Sequence, residues 1–474
     1  MGVGYCTAQQ DMMMLNLEGL RQSGYVNPAL GPRDGIFVGL PFLSSVSAQH
    51  SNNFLHPGGL FEQKEDNLEF QTDTYLERID DDNRAGFELS TDIVAIGFPL
   101  KENYFSFSIR EKASVDIELP GDLLRFPITG NGNFALNGGV IDLSDMNLSL
   151  NHYVEYGFGW QRSFGEQLDI GVRAKLLFGK ENVRTTNNEF SWRTDPEDYT
   201  WTFDGDFDIE TSGIQSQFDS LDGNSLLENG KVTKYILSSK NVGLGLDLGA
   251  TYKIQDKWTL GLSLVDLGFI KYSQDVRNYS GAGANVAFAG VEITEAFISG
   301  EGSFADSLDA TISNLASELT EAFALEENES SYRVGLRTRA YLNLGYEVLK
   351  KEKSHGIAGL TLYSQIDQGE LLSPLATVNY THTWNDRISV SAAYSLLNTD
   401  PKNLGLGMSV RGGPVVFYLT MDNIMWTNMT KIILPGTDGE ITYPSFSQNA
   451  ALHFGMSLML KRKKADVTLA PRMD

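Results

Sequence analysis

Between Asn241 and Tyr272 apolar and polar residues alternate almost without a break. Val242, Leu244, Leu246, Leu248, Ala250, Tyr252 and Ile254 take the even positions, and Asn241, Gly243, Gly245, Asp247, Gly249, Thr251 and Lys253 the odd ones. A period of two belongs to a strand with one apolar and one polar face. Gln255, Asp256 and Lys257 turn the chain, and Trp258, Leu260, Leu262 and Leu264 resume the alternation on a second strand. After Leu264 the phase changes, and Val265, Leu267 and Phe269 become the apolar set. A one-residue slip predicts a β-bulge at Leu264, Val265 or Asp266. A bulge there would bend the strand and offer a place for a lateral gate.

The same alternation returns along the whole chain. It marks strands at 36–47, 85–98 (with a phase slip near Val94), 105–110, 154–161, 168–178, 332–348, 358–366, 375–384, 388–397, 404–410, 415–424 and 450–460. With the opening hairpin this makes about fourteen strands, an even number within the range of bacterial membrane barrels. Short connections near 99–102, 163–166, 255–257, 349–354, 385–387 and 412–413 alternate with a set that holds every long one: 49–85, 115–146, 180–239, 273–330 and 425–447. Short periplasmic turns opposite long external loops are the outer-membrane pattern, with both termini periplasmic. In one long loop Phe304, Leu308, Ile312, Leu315, Leu319 and Phe323 are spaced by three and four, which predicts an amphipathic helix. No run approaches the roughly 20 apolar residues of a membrane helix. The expected fold is all-β: a transmembrane antiparallel barrel.

Charge supports this division. Residues 49–85 carry nine acids and three bases, 180–239 twelve and five, and 273–330 eleven and one. Together these stretches hold a net −23 of the chain's −24. The acidity therefore sits in three presumed external loops, while the strands are close to neutral. Such a balance argues against a nucleic-acid partner. Cys6 is the one cysteine, which excludes an internal disulfide framework and a multi-cysteine zinc site. Cys6-Thr7-Ala8 has the small-x-small form of a signal-peptidase site, so residues 1–8 read as the remnant of an export signal. Trp160, Trp258, Trp384, Tyr252 and Tyr346 lie near strand ends, where an interfacial aromatic girdle belongs.

Candidate chemistry follows from the polar face. Arg173, Lys175, Arg333, Arg337 and Arg339 would point into the lumen with Glu155, Asp169, Asp247 and Glu347. They form either a salt-bridged, water-lined interior or a basic path for anions. Asp204, Asp206, Asp208 and Glu210 alternate, so an extended chain would put four carboxylates on one face. Such a face suits Ca2+ or a cation bridge to lipopolysaccharide, and equally a solvated loop. No other cofactor is expected. His152, His382 and His453 stand outside any local catalytic motif, and the glycines of Gly243-Leu244-Gly245-Leu246-Asp247 precede no helix. The chain reads as a non-enzyme.

Two short motifs suggest a family. Tyr25-Val26-Asn27-Pro28-Ala29-Leu30 resembles the Asn-Pro-Ala element of fatty-acid-transporter-like (FadL-type) outer-membrane barrels. Asp266-Leu267-Gly268-Phe269-Ile270 resembles a strand motif of a Bacteroidota barrel family of uncharacterised function, DUF5723. The resemblance implies an N-terminal hatch over 9–35 containing Asn27, Pro28, Ala29 and Leu30, a barrel over 36–461, and a periplasmic tail over 462–474. It implies a Gram-negative outer membrane, with its lipid and lipopolysaccharide as surroundings. It leaves two roles: binding or transport of a hydrophobic or poorly soluble small molecule, or a non-catalytic scaffold among envelope proteins, such as a type IX secretion accessory.

Overall fold

The computed structural model describes residues 12–17, 19–33, 35–54, 61–64, 67–136, 138–214, 240–255, 257–281, 286–288, 326–367, 370–371, 375–396, 404–422, 429–433, 440–444 and 449–461. The proposed signal remnant at 1–8, the helix through Phe304 and Phe323, and the tail at 462–474 lie outside these residues.

Fourteen staves form the wall. β1 runs over Gly35–Gly39 and resumes at Val46–Asn52. The next four are β2 (Asp82–Leu100), β3 (Asn103–Pro120), β4 (Asn147–Phe164) and β5 (Leu168–Asn188). Then come β6 (Asn241–Ile254), β7 (Trp258–Tyr272), β8 (Tyr332–Gly335 continued by Thr338–Lys351) and β9 (Ser354–Asp367). The last five are β10 (Leu375–Trp384), β11 (Ile388–Leu396), β12 (Leu404–Gly412), β13 (Val415–Asp422) and β14 (Asn449–Lys461). Each pairs antiparallel with its sequence neighbour, and β14 closes on β1 through pairs such as Ile36 with Leu460 and Val46 with Phe454. Closure leaves no free sheet edge, the condition for crossing lipid with strands.

The two faces of the wall differ as the alternation requires. On β6 the even residues are exposed outward, Leu244 at 59%, while Asn241, Asp247 and Thr251 are buried inward. On β10 and β11 the inward residues form a hydroxyl ladder: Thr377 with Ser395 at 2.7 Å, Thr381 with Ser391 at 2.8 Å and Thr383 with Ser389 at 3.1 Å. An apolar exterior around a polar interior is the inverse of a soluble barrel and matches a bilayer as solvent. At the short-turn end the Trp258 ring lies 4.6 Å from that of its register partner Tyr346, tilted by 47°, and Trp384 is exposed on the same rim. Among the described residues no helix is long and apolar enough to cross a membrane.

Three stretches differ from expectation. The first strand is not continuous over 36–47: it breaks at Leu40–Ser45, where Pro41 lacks the amide a ladder needs and Phe42 takes φ 60°. The stretch 115–146 is not all loop. β3 continues to Pro120 and a helix follows over Gly121–Leu136, kinked at Gly130. β5 extends ten residues past the expected end, to Asn188. Strands β2 to β5 span 18 to 21 residues, while β10 to β13 span 8 to 10. The wall therefore rises higher on one side at the long-loop end. That side also holds an aromatic cluster, with Trp192 4.5 Å from Phe126 and 4.7 Å from Trp201.

Candidate functional site: a plugged lumen with a buried charge network

The N-terminal segment enters the lumen. A short helix, α1 (Met12–Asn16), places Met12, Met13 and Met14 in full burial, and Met13 fills the space beside Gly405 and Gly407 of β12. A 3-10 turn follows at Gln22–Tyr25. Asn27 then caps its own turn: its Oδ1 accepts the Ala29 amide at 2.9 Å and its carbonyl accepts the Leu30 amide at 2.9 Å. Proline at 28 presets the backbone of such a turn. The turn sits in a notch made by two glycines on adjacent strands. A Cβ at Gly171 would run into the backbone of Pro28, and one at Gly249 into the side chain of Asn27. Asn27 Nδ2 donates to the carbonyls of Ala250 and Leu262, both at 3.4 Å, and Ser263 Oγ donates to Val26 at 2.8 Å. From the other side Gln161 Nε2 donates to the Ala29 carbonyl at 2.5 Å.

Charged residues tie the hatch to the wall. Arg21 donates to Gln161 Oε1 at 2.8 Å and lies 4.4 Å over the Tyr104 ring. Burial draws its pKa down to about 10, so it stays charged at neutral pH. Tyr25 is held between Arg110 at 3.8 Å and Arg173 at 4.6 Å. Its hydroxyl donates to Asp92 Oδ2 at 2.9 Å, and Asp92 also pairs with Arg110 at 3.0 Å. Burial, and then the Asp92 charge, push the phenol well up, so it remains a donor. Tyr25→Phe is expected to lower stability by about 2 kcal/mol, the worth of a hydrogen bond to a buried charge. The midpoint of heat-modifiable gel mobility measures it; an unchanged midpoint would show that the hydroxyl contributes nothing.

At mid-height the lumen is crossed by ion pairs centred on Asp266. Lys175 Nζ reaches Asp266 at 2.5 Å, Asp247 at 2.7 Å and Glu155 at 3.4 Å. Lys112 Nζ lies 3.2 Å from Glu155 and 3.3 Å from Asp266. Arg339 pairs with Asp266, and Arg173 approaches Asp247 at 3.6 Å. All six residues of the Lys112, Glu155, Lys175, Asp247, Asp266 and Arg339 group are buried. Asp266 reaches its place through backbone irregularity. The β6–β7 register shifts between Leu246 and Leu248, and Asp266 adopts φ 61° while its amide donates to Asp247 Oδ1 at 2.8 Å. Val265 and Asp266 both turn inward there; Leu264 stays on the outer face, and Leu267 and Phe269 are exposed outward. The inward turn of Val265 corrects its assignment to the outer apolar set.

The other sequence-derived sites fall as follows. Arg173, Lys175, Asp247 and Arg339 converge in the network. Arg337 sits toward the long loops, paired with Asp116. Arg333 is not in the lumen: it lies on the outer face, 5.1 Å over the Phe269 ring. Beyond the bulge the phase is inverted, so Ile270, Tyr272 and Tyr332 point inward and Lys271 and Arg333 outward. The four carboxylates Asp204, Asp206, Asp208 and Glu210 do not share a face. The chain turns at Gly205, φ 132°, so Asp204 ends a small four-stranded sheet while Asp208 and Glu210 pair with β5. Glu210 is taken by Arg184 at 2.5 Å, and no group of three potential metal ligands converges among the described residues.

Arg110 closes the polar run expected of the third strand, but Asp92 and Lys112 escaped notice. The alternation predicts an end of the third strand at Arg110, because beyond it charged residues sit in both phases. Lys112 in fact continues the inward face of β3. Closer to the long loops, His152 bridges Glu181 at 2.5 Å and Glu111 at 2.7 Å, and Lys180 meets Glu111 at 2.6 Å. Tyr272 and Tyr332 stack beside them at 5.3 Å.

Fold and lumen thus define a transmembrane β-barrel closed from within by its own N-terminal segment and a belt of ion pairs. Residues 28–422 match the family of unknown function DUF5723, and the chain belongs to that family. A search of curated proteins finds no match. Among solved structures the chain is similar to the Ralstonia pickettii toluene transporter TbuX, with 7% identity over 93% of this chain and 94% of the other at a TM-score of 0.40. It is similar to the Pseudomonas putida toluene transporter TodX, with 11% identity over 92% of each chain at 0.36. A Pseudomonas aeruginosa FadL homologue shows 10% identity over 97% of each chain at 0.38.

Proposed function

We propose that the protein is an outer-membrane barrel, with both termini periplasmic, that binds and passes a hydrophobic or poorly soluble small molecule through its wall. The observation that carries this reading is the break in β1. Over Leu40–Ser45 the stave leaves the ladder, and Phe42 and Leu43 are exposed outward at 52% and 48%. Bonds remain on both flanks: the Phe42 amide donates to Asp92 at 2.7 Å and the Met456 amide to Leu43 at 2.7 Å. The hatch touches this place from inside, with Gln22 Nε2 on the Ser44 carbonyl at 2.9 Å and Tyr25 on Asp92. An apolar outer surface, a loosened ladder and a hatch contact coincide here, so a shift of the hatch would release the wall. The bulge at Leu264–Asp266 is another irregular point of the wall, but Lys112, Lys175 and Arg339 pin it from inside.

The reading is tested with a disulfide across β1 and β14 in a Cys6→Ser background. Val46→Cys with Phe454→Cys joins register partners just above the break. Proteoliposomes carrying the protein are expected to take up the apolar dye N-phenyl-1-naphthylamine when the pair is reduced and to stop when it is oxidised. Equal uptake in both states would rule out the wall route, and no uptake by the unmodified protein would rule out transport. A scaffold role in an envelope assembly such as type IX secretion is the second reading, favoured by the packed lumen. It predicts stable envelope-protein partners in a native pull-down from mild detergent.

A further inference from the structure

The outer face of the wall changes character at its long-loop rim. On β6 the outward series from Tyr252 to Val242 is apolar throughout, and the next position in its phase is Lys240. On β7 the outward series passes through Leu262, Leu267 and Phe269 and ends at Lys271. On β8 it passes through Leu342 and Gly335 and ends at Arg333. Three adjacent staves thus close their lipid-facing rows with an exposed cation at the same end of the barrel.

These cations lack partners. Lys271 and Arg333 are register partners, so two like charges stand directly opposite each other on one face. Such a pair destabilises a sheet unless an anion joins it. Among the described residues no carboxylate forms an ion pair with Lys240, Lys271 or Arg333. Asp275 and Glu329, the exposed acids nearest to Lys271 and Arg333 along the chain, do not reach them. Other cations at this end are matched: Arg277 by Glu327 at 3.5 Å and Arg184 by Glu210 at 2.5 Å. A single cation at a rim reaches water by extending its stem. Three unmatched ones on neighbouring staves, in a chain of net charge −24, call for an anion from outside.

The place of the cluster says what carries that anion. Directly below it the wall is apolar, with Leu244, Leu267 and Phe269 facing outward. The Arg333 guanidinium lies 5.1 Å over the Phe269 ring, at the boundary itself. Beside Phe269 its register partner Gly335 has no side chain, and the space a Cβ would enter is open. A soluble anion would use only the charges. A lipid with phosphates in its head group uses the charges and the apolar wall together. Neighbouring strands lie about 4.8 Å apart, so three staves spread the cations over about 10 Å. That width suits a head group with phosphates at both ends of a disaccharide better than one with a single phosphate. We infer that Lys240, Lys271 and Arg333 hold the phosphates of a lipopolysaccharide, its lipid A portion lying in the outer leaflet with acyl chains along β6 and β7. The inference rests on the outer-membrane orientation proposed above, with the long loops external, and not on the wall route.

The test uses the full chain in detergent micelles and native mass spectrometry, with diphosphoryl lipid A as the probe. Micelles have no leaflets and no transport, so the result reads this site alone, and a failed dye assay leaves it standing. One lipid A per chain is expected, with weaker binding of monophosphoryl lipid A and of phosphatidylglycerol. Lys240→Glu, Lys271→Glu and Arg333→Glu together are expected to weaken binding at least ~10-fold. Arg333→Lys keeps the charge but loses the fork that grips a phosphate, and is expected to weaken it about 5-fold. All three residues are exposed, so the heat-modifiability midpoint is expected to stay unchanged in both variants. The control is Lys253→Glu with Lys257→Glu on the opposite rim, expected to bind as the unmodified protein does. Equal loss in that control would reduce the effect to overall charge and overturn the site. Equal binding of phosphatidylglycerol would overturn the assignment to lipopolysaccharide, as would failure of the unmodified protein to bind lipid A.

Discussion

Asp266→Ala is expected to destabilise the barrel by about 3–5 kcal/mol, the range for breaking a buried ion pair from one side. The carboxylate receives Lys112, Lys175 and Arg339, all three buried, and its loss takes a partner from each of them at once. Removing charge from both sides should relieve much of the loss. Asp266→Asn with Lys175→Met is therefore expected to be more stable than Asp266→Asn alone, a coupling that a double-mutant cycle isolates. Urea titration in detergent, read by tryptophan fluorescence and gel mobility, measures both. A loss below about 0.5 kcal/mol for Asp266→Ala, the scale of ordinary surface changes, would remove the network from any structural role.

The second large effect concerns the hatch. Gly249→Leu places a branched side chain where Asn27 and Pro28 now lie, and the backbone at Gly249 is held on both sides by its register partners Gly171 and Ser263. The hatch is the part that must give. Liposome-swelling rates with small sugars are expected to rise by about 10-fold or more as the short-turn end opens toward the lumen. Removal of residues 12–33 is expected to act in the same direction and further. Unchanged swelling in both variants would mean that the ion-pair belt alone seals the barrel.

Much of this was legible from the alternation alone. Lipid- and lumen-facing positions on β6 follow directly from parity, since a strand has no other way to sort its side chains. The phase change after Leu264 marked the bulge for the same reason. What parity cannot carry is the inversion beyond a bulge. Arg333 was assigned inward because Val334 and Leu336 looked like outer positions, yet its stave pairs with the inverted end of β7. Nor does alternation survive where strands leave the membrane: β3 past Arg110 bears charge on both faces, which hid Lys112. The break in β1 was masked because Leu40, Pro41, Phe42 and Leu43 are as apolar as any lipid-facing run, and only Pro41 hinted at it. The four acidic residues at 204–210 misled through a glycine, whose left-handed backbone turns an apparently extended run. The glycine notch under Asn27 needs three-dimensional registration of β5 with β6 and leaves no local trace.

The seam of the barrel has a consequence for the order in which the molecule comes together. β1 and β14 are joined edge to edge although more than 400 residues separate them: Gly35 faces Lys461. Contacts so distant in the chain form late, after local hairpins have already paired. The hatch is attached directly to β1 and must rest against Gly171, Gly249 and Ser263 in the opposite wall before that seam shuts. The N-terminal segment is thus an early guest of a half-built sheet. Its affinity for the β5–β7 face helps decide whether the last zippering step traps it inside or leaves an empty ring.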